Sequence, residues 1–285
     1  MREVVVAKSA GFCFGVQRAM DMLYKQIEEG NFPLYTYGPV IHNETVVAEL
    51  AEKGVEVVNT PAELANIREG TVVIRTHGVG PDIYDIIEKN GIRLIDATCP
   101  FVKKIHGIVS QKAKEGYHIY IAGDASHPEV QGIVGWCGRA LVDVISTVDE
   151  LKDISRGTDE PVCLVSQTTF NTKKFQDLVE VFENSMYNSN VVNTICNATN
   201  ERQEEARALA SEADAMIVIG GRNSSNTRKL YEICKEQCEN TFFIQTLEDF
   251  AYRRVEDFEK VGITAGASTP KNIIKEVQNH VRREF

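Results

Sequence analysis

Three of the seven cysteines in this chain of 285 residues stand in the same kind of place. Cys13 follows the β-branched run Val4-Val5-Val6, Cys99 follows Arg93 to Ala97, and Cys196 ends the run Val191 to Ile195. Each run reads as a strand, and a helical pattern starts just after each thiol. Pro100 suits the first position of a helix, and Asn200 with Gln203 resembles a capping box that opens a helix over 201–212. A thiol at such a turn lies where the helix dipole favours the thiolate, the form that binds metal. The three are 86 residues (13 to 99) and 97 residues (99 to 196) apart. There is no CxxC pair, which disfavours a zinc ribbon, a thioredoxin-type site and a ferredoxin run. Three convergent thiolates fit zinc with a further ligand or water, or a 4Fe–4S cluster with one iron left open to a substrate oxygen. The other four cysteines read as core: Cys163 lies inside an apolar strand, Cys137 adjoins Trp136, and Cys234 and Cys238 share one helix face.

A second set of polar residues gathers where other strands end. These are His42-Asn43, Thr76-His77-Gly78, Ser126-His127-Pro128-Glu129, Ser166-Gln167-Thr168-Thr169, Gly220 to Asn226 and Gly266 to Pro270. His42, His77 and His127 occupy equivalent loop positions and, with Ser224, Asn226 and Ser268, supply donors for a phosphate group. Asn43, Asn171 and Thr269 read as plain helix caps. Glu129 is the one carboxylate of the set; in a closed pocket near an anion its pKa would rise, which suits a proton donor. Neither a Walker P-loop nor GxGxxG occurs, so ATP and NAD sites are not indicated.

The elements that must hold these residues follow an α/β pattern with mostly parallel strands. Six strand–loop–helix units are expected, with strand and loop over Leu34 to Asn43, Thr71 to Pro81, His118 to Pro128, Pro161 to Asn171, Ala215 to Asn226 and Val261 to Pro270. Helices follow, for instance over 16–29, 172–184 and 271–281. The cysteine spacing overlays three blocks of two units each, so we expect three related α/β domains about a pseudo-threefold axis: 14–98, 99–195, and 196–285 together with 1–13, whose N-terminal strand joins the last block.

Composition narrows the function. The formal charge of −10 argues against nucleic-acid binding and against general attraction of anions, so a phosphate site must be built locally. No apolar run approaches a membrane span, and no signal peptide is evident, which leads us to expect a cytoplasmic protein. An odd, scattered set of cysteines argues against a disulfide framework.

Eight stretches together resemble the LytB/IspH family of hydroxymethylbutenyl diphosphate reductases. They are Ala10 to Val16, Gly38 to Asn43, Arg75 to Gly78, Asp96 to Pro100, His127 to Val130, Ser166 to Thr169, Thr194 to Thr199 and Asn223 to Asn226, and the match covers essentially the whole chain. The resemblance implies three α/β domains in a trefoil around a central 4Fe–4S cluster, held by Cys13, Cys99 and Cys196 with one iron open. It implies diphosphate binding by His42, His77, His127, Ser224, Ser225, Asn226 and Ser268. Thr168 would hydrogen-bond the substrate hydroxyl, Glu129 would feed it protons, and His127 would take part in catalysis. The activity implied is reductive dehydroxylation, in the non-mevalonate pathway, to isopentenyl and dimethylallyl diphosphate. A separate carrier such as ferredoxin or flavodoxin would bring electrons to a monomer. Two rivals explain less: a non-catalytic iron–sulfur sensor leaves the polar loops idle, and a cluster-free phosphate enzyme makes three equivalent thiols accidental.

Overall fold

The computed structural model describes residues 3–154, 160–185, 188–250 and 258–283. Among them the strands are β1 (Glu3–Val6), β2 (Leu34–Tyr37), β3 (Val55–Val58), β4 (Thr71–Ile74), β5 (Arg93–Asp96), β6 (His118–Ala122), β7 (Val142–Ile145), β8 (Val162–Ser166), β9 (Ser189–Val191), β10 (Ala215–Ile219), β11 (Thr241–Ile244) and β12 (Lys260–Ala265). The helices are α1 (Phe14–Glu28), α2 (Glu44–Glu52), α3 (Pro61–Asn66), α4 (Pro81–Lys89), α5 (Pro100–Lys114), α6 (Pro128–Trp136), α7 (Val148–Ile154), α8 (Thr172–Ser185), α9 (Asn197–Glu212), α10 (Ser225–Gln237) and α11 (Lys271–Arg283). The chain divides into two compact units: Met1–Gln17, Ile41–Glu49 and Asn197–Phe285 form one, and Arg18–Val40 with Leu50–Cys196 forms the other.

The strands make three four-stranded parallel sheets, ordered β1-β12-β10-β11, β3-β2-β4-β5 and β7-β6-β8-β9. The first sheet belongs to the first unit and the other two to the second. All three have one topology. In chain order within a sheet, the second strand lies at an edge, then come the first, the third and the fourth. In the first sheet the fourth place is taken by β1, which aligns Glu3 with Lys260 and Val6 with Ile263 of β12. The expected α/β fold with its parallel sheets is therefore present, as is the expected pairing of the N-terminal strand with the last block.

The two central strands of each sheet are covered on both faces, which is why they read as unbroken apolar runs. Met216 and Val218 of β10 pack against Leu209 and Leu230 on one face, while Ile217 and Ile219 meet Ile273, Ile274 and Val277 of α11 on the other. Ile119 and Ile121 of β6 face Ile105, Val109 and Ile133 of α5 and α6, and Tyr120 faces Phe175, Leu178 and Phe182 of α8.

Three local expectations change. The strand expected over 191–195 ends at Val191. Beyond Val192 the Thr194 hydroxyl accepts from Ser166 N at 2.7 Å and donates to Ser166 O at 2.6 Å, replacing the ladder with a side chain. Helix α9 starts at Asn197, so Asn200 does not cap it and instead bonds Glu204 one turn on. Thr269 does not cap α11 either; its buried hydroxyl donates to Ile219 O at 3.0 Å. Asn43 and Asn171 do cap, accepting from Val46 N and Lys174 N.

Candidate active site

Parallel strands put their C-terminal ends on one rim of a sheet, and the shared topology decides which loops meet there. In each sheet the first and third strands are central neighbours, and their connections leave in opposite directions. His42, His127 and the loop 220–226 follow first strands; His77, Thr168 and Ser268 follow third strands; Cys13, Cys99 and Cys196 follow fourth strands. Each of these three cysteines is the residue immediately before a helix: α1, α5 or α9.

In the second unit, Glu129 lies in the first turn of α6 and is 2% exposed. Thr168 N donates to Glu129 Oε1 at 2.6 Å, and the Thr168 hydroxyl donates to Oε2 at 2.8 Å. Desolvation raises the Glu129 pKa to about 7; the two bonds from Thr168 oppose the shift without cancelling it. The carboxyl is thus poised between acid and base near neutrality. His127 caps α6, its Nδ1 accepting from Glu129 N at 3.1 Å, which fixes the ring at the helix start. The His77 ring meets it edge-on, 5.2 Å between centroids. The backbone ties this group to two of the cysteines: Cys196 N donates to Thr168 O at 3.2 Å, and Cys99 N donates to Thr76 O at 2.9 Å.

In the first unit, Cys13 N donates to Ala267 O at 3.3 Å, which places it beside the Ser268 loop. Asn43, next to His42, donates to Ser268 O at 3.1 Å. Ser224 caps α10 by accepting from Thr227 N at 3.3 Å. Asn226 is 5% exposed, and its Nδ2 has no hydrogen-bond partner among the described residues. A buried amide donor without an acceptor is costly, and an anionic ligand oxygen would satisfy it. Gly221 passes so close to the His42 carbonyl that a Cβ there would collide with it.

The structure therefore gathers Cys99, Cys196, His77, His127, Glu129 and Thr168 in one unit, and Cys13, His42, Ser224, Ser225, Asn226 and Ser268 in the other. Two further residues escaped the sequence reading. Arg202 of α9 is 4% exposed and donates to Gly11 O at 2.6 Å and Ala265 O at 3.2 Å, bracing the loop before Cys13. Glu205, one turn on, accepts from Lys8 N, Ser9 N and the Ser9 hydroxyl. Both stand in a helix rich in charged residues, where nothing marks them apart from a solvated face.

The donor chemistry fits a thiolate-bound metal cluster. None of the seven cysteines is in a disulfide. Cys13, Cys99 and Cys196 are the partly accessible ones, whereas Cys137, Cys163, Cys234 and Cys238 are buried in the core, as expected. Burial pushes the thiols of Cys137 and Cys234 up to about 12 and that of Cys163 to about 11, which makes them poor ligands.

Comparison with known proteins shows the family to which the chain belongs. The family model described as LytB protein matches residues 4–282. The chain is 45% identical over 281 residues to a 4-hydroxy-3-methylbut-2-enyl diphosphate reductase of Alkaliphilus oremlandii, covering 98% of this chain and 99% of the relative. The enzyme of the same name from Aquifex aeolicus is 42% identical over 284 residues, covering 99% and 96%. A solved structure of (E)-4-hydroxy-3-methyl-but-2-enyl diphosphate reductase, described as the terminal enzyme of the non-mevalonate pathway, superposes with a TM-score of 0.71 at 40% identity, covering 99% of this chain and 100% of that one. The Plasmodium falciparum reductase structure gives a TM-score of 0.92 at 26% identity, covering 98% and 87%.

Proposed function

The chain belongs to the LytB family, and from that premise we propose that it is the reductase converting hydroxymethylbutenyl diphosphate to isopentenyl and dimethylallyl diphosphate in the non-mevalonate pathway. The reaction takes two electrons and two protons, breaks the allylic C–O bond and releases water. We propose a 4Fe–4S cluster on Cys13, Cys99 and Cys196, with one iron open, as the cofactor. When bound, such a cluster supplies electrons and a Lewis-acidic iron. An external carrier such as ferredoxin or flavodoxin is its proposed source of electrons. We further propose a cytoplasmic location and a monomeric state; no described helix is long and apolar enough to cross a membrane.

The protein's own groups carry the rest. His42, His77, His127, Ser224, Ser225, Asn226 and Ser268 bind the diphosphate, through hydroxyls, imidazoles and the Asn226 amide rather than through lysine or arginine. Thr168 bonds the substrate hydroxyl. Glu129 in its acid form passes its Oε2 proton to the Thr168 hydroxyl oxygen, which passes its own proton to the leaving group. His127 keeps Glu129 at the head of α6 and reaches the diphosphate. The observation that carries this reading is the buried Glu129–Thr168 pair: a carboxyl titrating near neutrality, bonded at both oxygens to one threonine.

The test is anaerobic turnover. Protein with assayed iron and sulfide is mixed with hydroxymethylbutenyl diphosphate and a reduced viologen dye. Dye oxidation with both five-carbon diphosphates as products is expected; a full cluster with no turnover would overturn the assignment.

A further inference from the structure

Two side chains of α9 take over where the first strand leaves its sheet. Along β1 and β12, Glu3 N donates to Glu259 O and Ala7 N donates to Ile263 O, both at 2.8 Å. The rungs of a parallel ladder are evenly spaced, so two residues further on Ser9 N would donate to Ala265 O. It does not. Ser9 N donates instead to Glu205 Oε2 at 2.9 Å, and Ala265 O accepts from Arg202 Nη1 at 3.2 Å. The carboxylate has taken the donor of the missing rung, and the guanidinium has taken its acceptor. The two residues are three apart on α9 and so share one helix face.

The same pair holds the residues on either side. Glu205 Oε1 accepts from Lys8 N at 2.7 Å, and Oε2 also accepts from the Ser9 hydroxyl. Arg202 Nη2 donates to Gly11 O at 2.6 Å. Ala10 N closes a turn on Ala7 O at 3.1 Å, and Gly11 has φ +101°, a left-handed conformation that a side chain would strain. Burial raises the Glu205 carboxyl, but the bonds from Ser9 and Lys8 outweigh it and hold the group below its ordinary value, so it is a carboxylate at neutral pH. A continued ladder would satisfy Ser9 N and Ala265 O with no side chain at all. What the exchange provides is the departure of the chain from the sheet just before Cys13, whose own N–H then meets Ala267 O.

We propose that Arg202 and Glu205 are positioning residues for the metal centre: they hold residues 8–11 off β12 so that Cys13 stands as a ligand. The inference rests on the ligand set proposed above. Without the pair, Ser9 N and Ala265 O are left to bond each other, which extends β1 and draws the Cys13 turn along β12.

The experiment measures the rate of iron release to a ferrous chelator from anaerobic holoprotein, with thermal melts of the same samples. Arg202→Met and Glu205→Ala should each release iron roughly tenfold faster or more. Arg202→Lys keeps a donor for one carbonyl and Glu205→Gln keeps one acceptor, so both should fall between these and the wild type. Asp214→Asn is the control. Asp214 Oδ2 accepts from Glu259 N at 3.1 Å and Lys260 N at 2.8 Å, the same kind of bond at the opposite end of β12 from Ala265. Asp214→Asn should lower the Tm and leave iron release at the wild-type rate. Wild-type release from Arg202→Met and Glu205→Ala would overturn the proposal, and so would equally fast release from Asp214→Asn. If the two stronger variants do not fold, Arg202→Lys and Glu205→Gln decide, and wild-type rates in both would overturn it. A wild-type chain that takes up no iron and sulfide would overturn the ligand set and this proposal with it.

Discussion

At the scale of single residues, environment sorts like from like. Seven thiols share one chemistry, but four are immersed in core clusters and three precede helices at partly accessible turns. Cys99→Ser is expected to lose most of the protein's iron, whereas Cys163→Ser should keep it; iron and sulfide assays on anaerobically prepared protein decide, and full iron in Cys99→Ser would remove that residue from the ligand set. Glu129 offers a second contrast, with stability. Its folded pKa of about 7 lies above the ordinary 4.5. Below 4.5 both folded and unfolded states hold the proton and Glu129 contributes nothing to the pH dependence. Between 4.5 and 7 only the folded state holds it, so stability falls as pH rises, and above 7 the loss is complete at about 3 kcal/mol at most. Glu129→Gln should flatten that part of the stability profile, measured by denaturant unfolding from mildly acidic to mildly alkaline pH; an unchanged slope would mean that the carboxyl is not desolvated in the fold. Sequence reading reached the thiols and Glu129 because neighbours such as Pro100 and Pro128 mark the turns. It missed Arg202 and Glu205, since a buried role in a charged helix leaves no trace in residue type.

At the scale of elements, the loops after central strands do the positioning, and their glycines show how tightly. Gly78 has φ +68°, and a Cβ there would sit 2.6 Å from His106 Cε1 and 2.9 Å from Thr98 Cγ2. Gly78→Ala should cost about 2 kcal/mol or more through left-handed strain and the clash together, and should displace His77. A thermal melt and the KM for the diphosphate substrate check this: a lower Tm with a raised KM is expected, and an unchanged KM would detach His77 from substrate binding. The six principal strands were legible because burial on both faces makes them continuous apolar runs. The edge strands β3, β7 and β11 were not. In Val55-Glu56-Val57-Val58 and Val142-Asp143-Val144-Ile145 an acidic residue breaks the apolar run, and what is left does not separate strand from helix. The end of β9 was misplaced for a different reason: Thr194 uses its hydroxyl where a strand would use its backbone, and β-branched composition cannot reveal that exchange.

At the scale of the molecule, one four-stranded topology is used three times, and the ends of the chain complete one of its copies. Because β1 fills the fourth place beside β12 and leads directly to the turn of Cys13, this strand ties that turn to the sheet. A chain lacking Met1 to Ala7 is expected to melt at lower temperature and to bind little iron; normal iron content in that truncation would show that the strand is dispensable for the Cys13 turn. The three-block pattern was visible in the spacing of the cysteines. The common strand order was not, because order within a sheet depends on which way each helical connection crosses, and no local residue pattern records that choice.

The central claim is that the chain reduces an allylic diphosphate alcohol with Glu129, in its acid form, as proton donor through Thr168. The pH dependence of kcat under anaerobic conditions, measured for the wild type and for Glu129→Gln and Thr168→Val, tests it most directly. For the wild type the account predicts a level rate below a pKa of about 7 and a fall above it as the acid form is lost. Both variants should hold iron and bind substrate, but turn over roughly a hundredfold or more slower, with no fall near neutrality in Glu129→Gln. A Glu129→Gln enzyme with near-normal kcat and the wild-type pH profile would contradict the account.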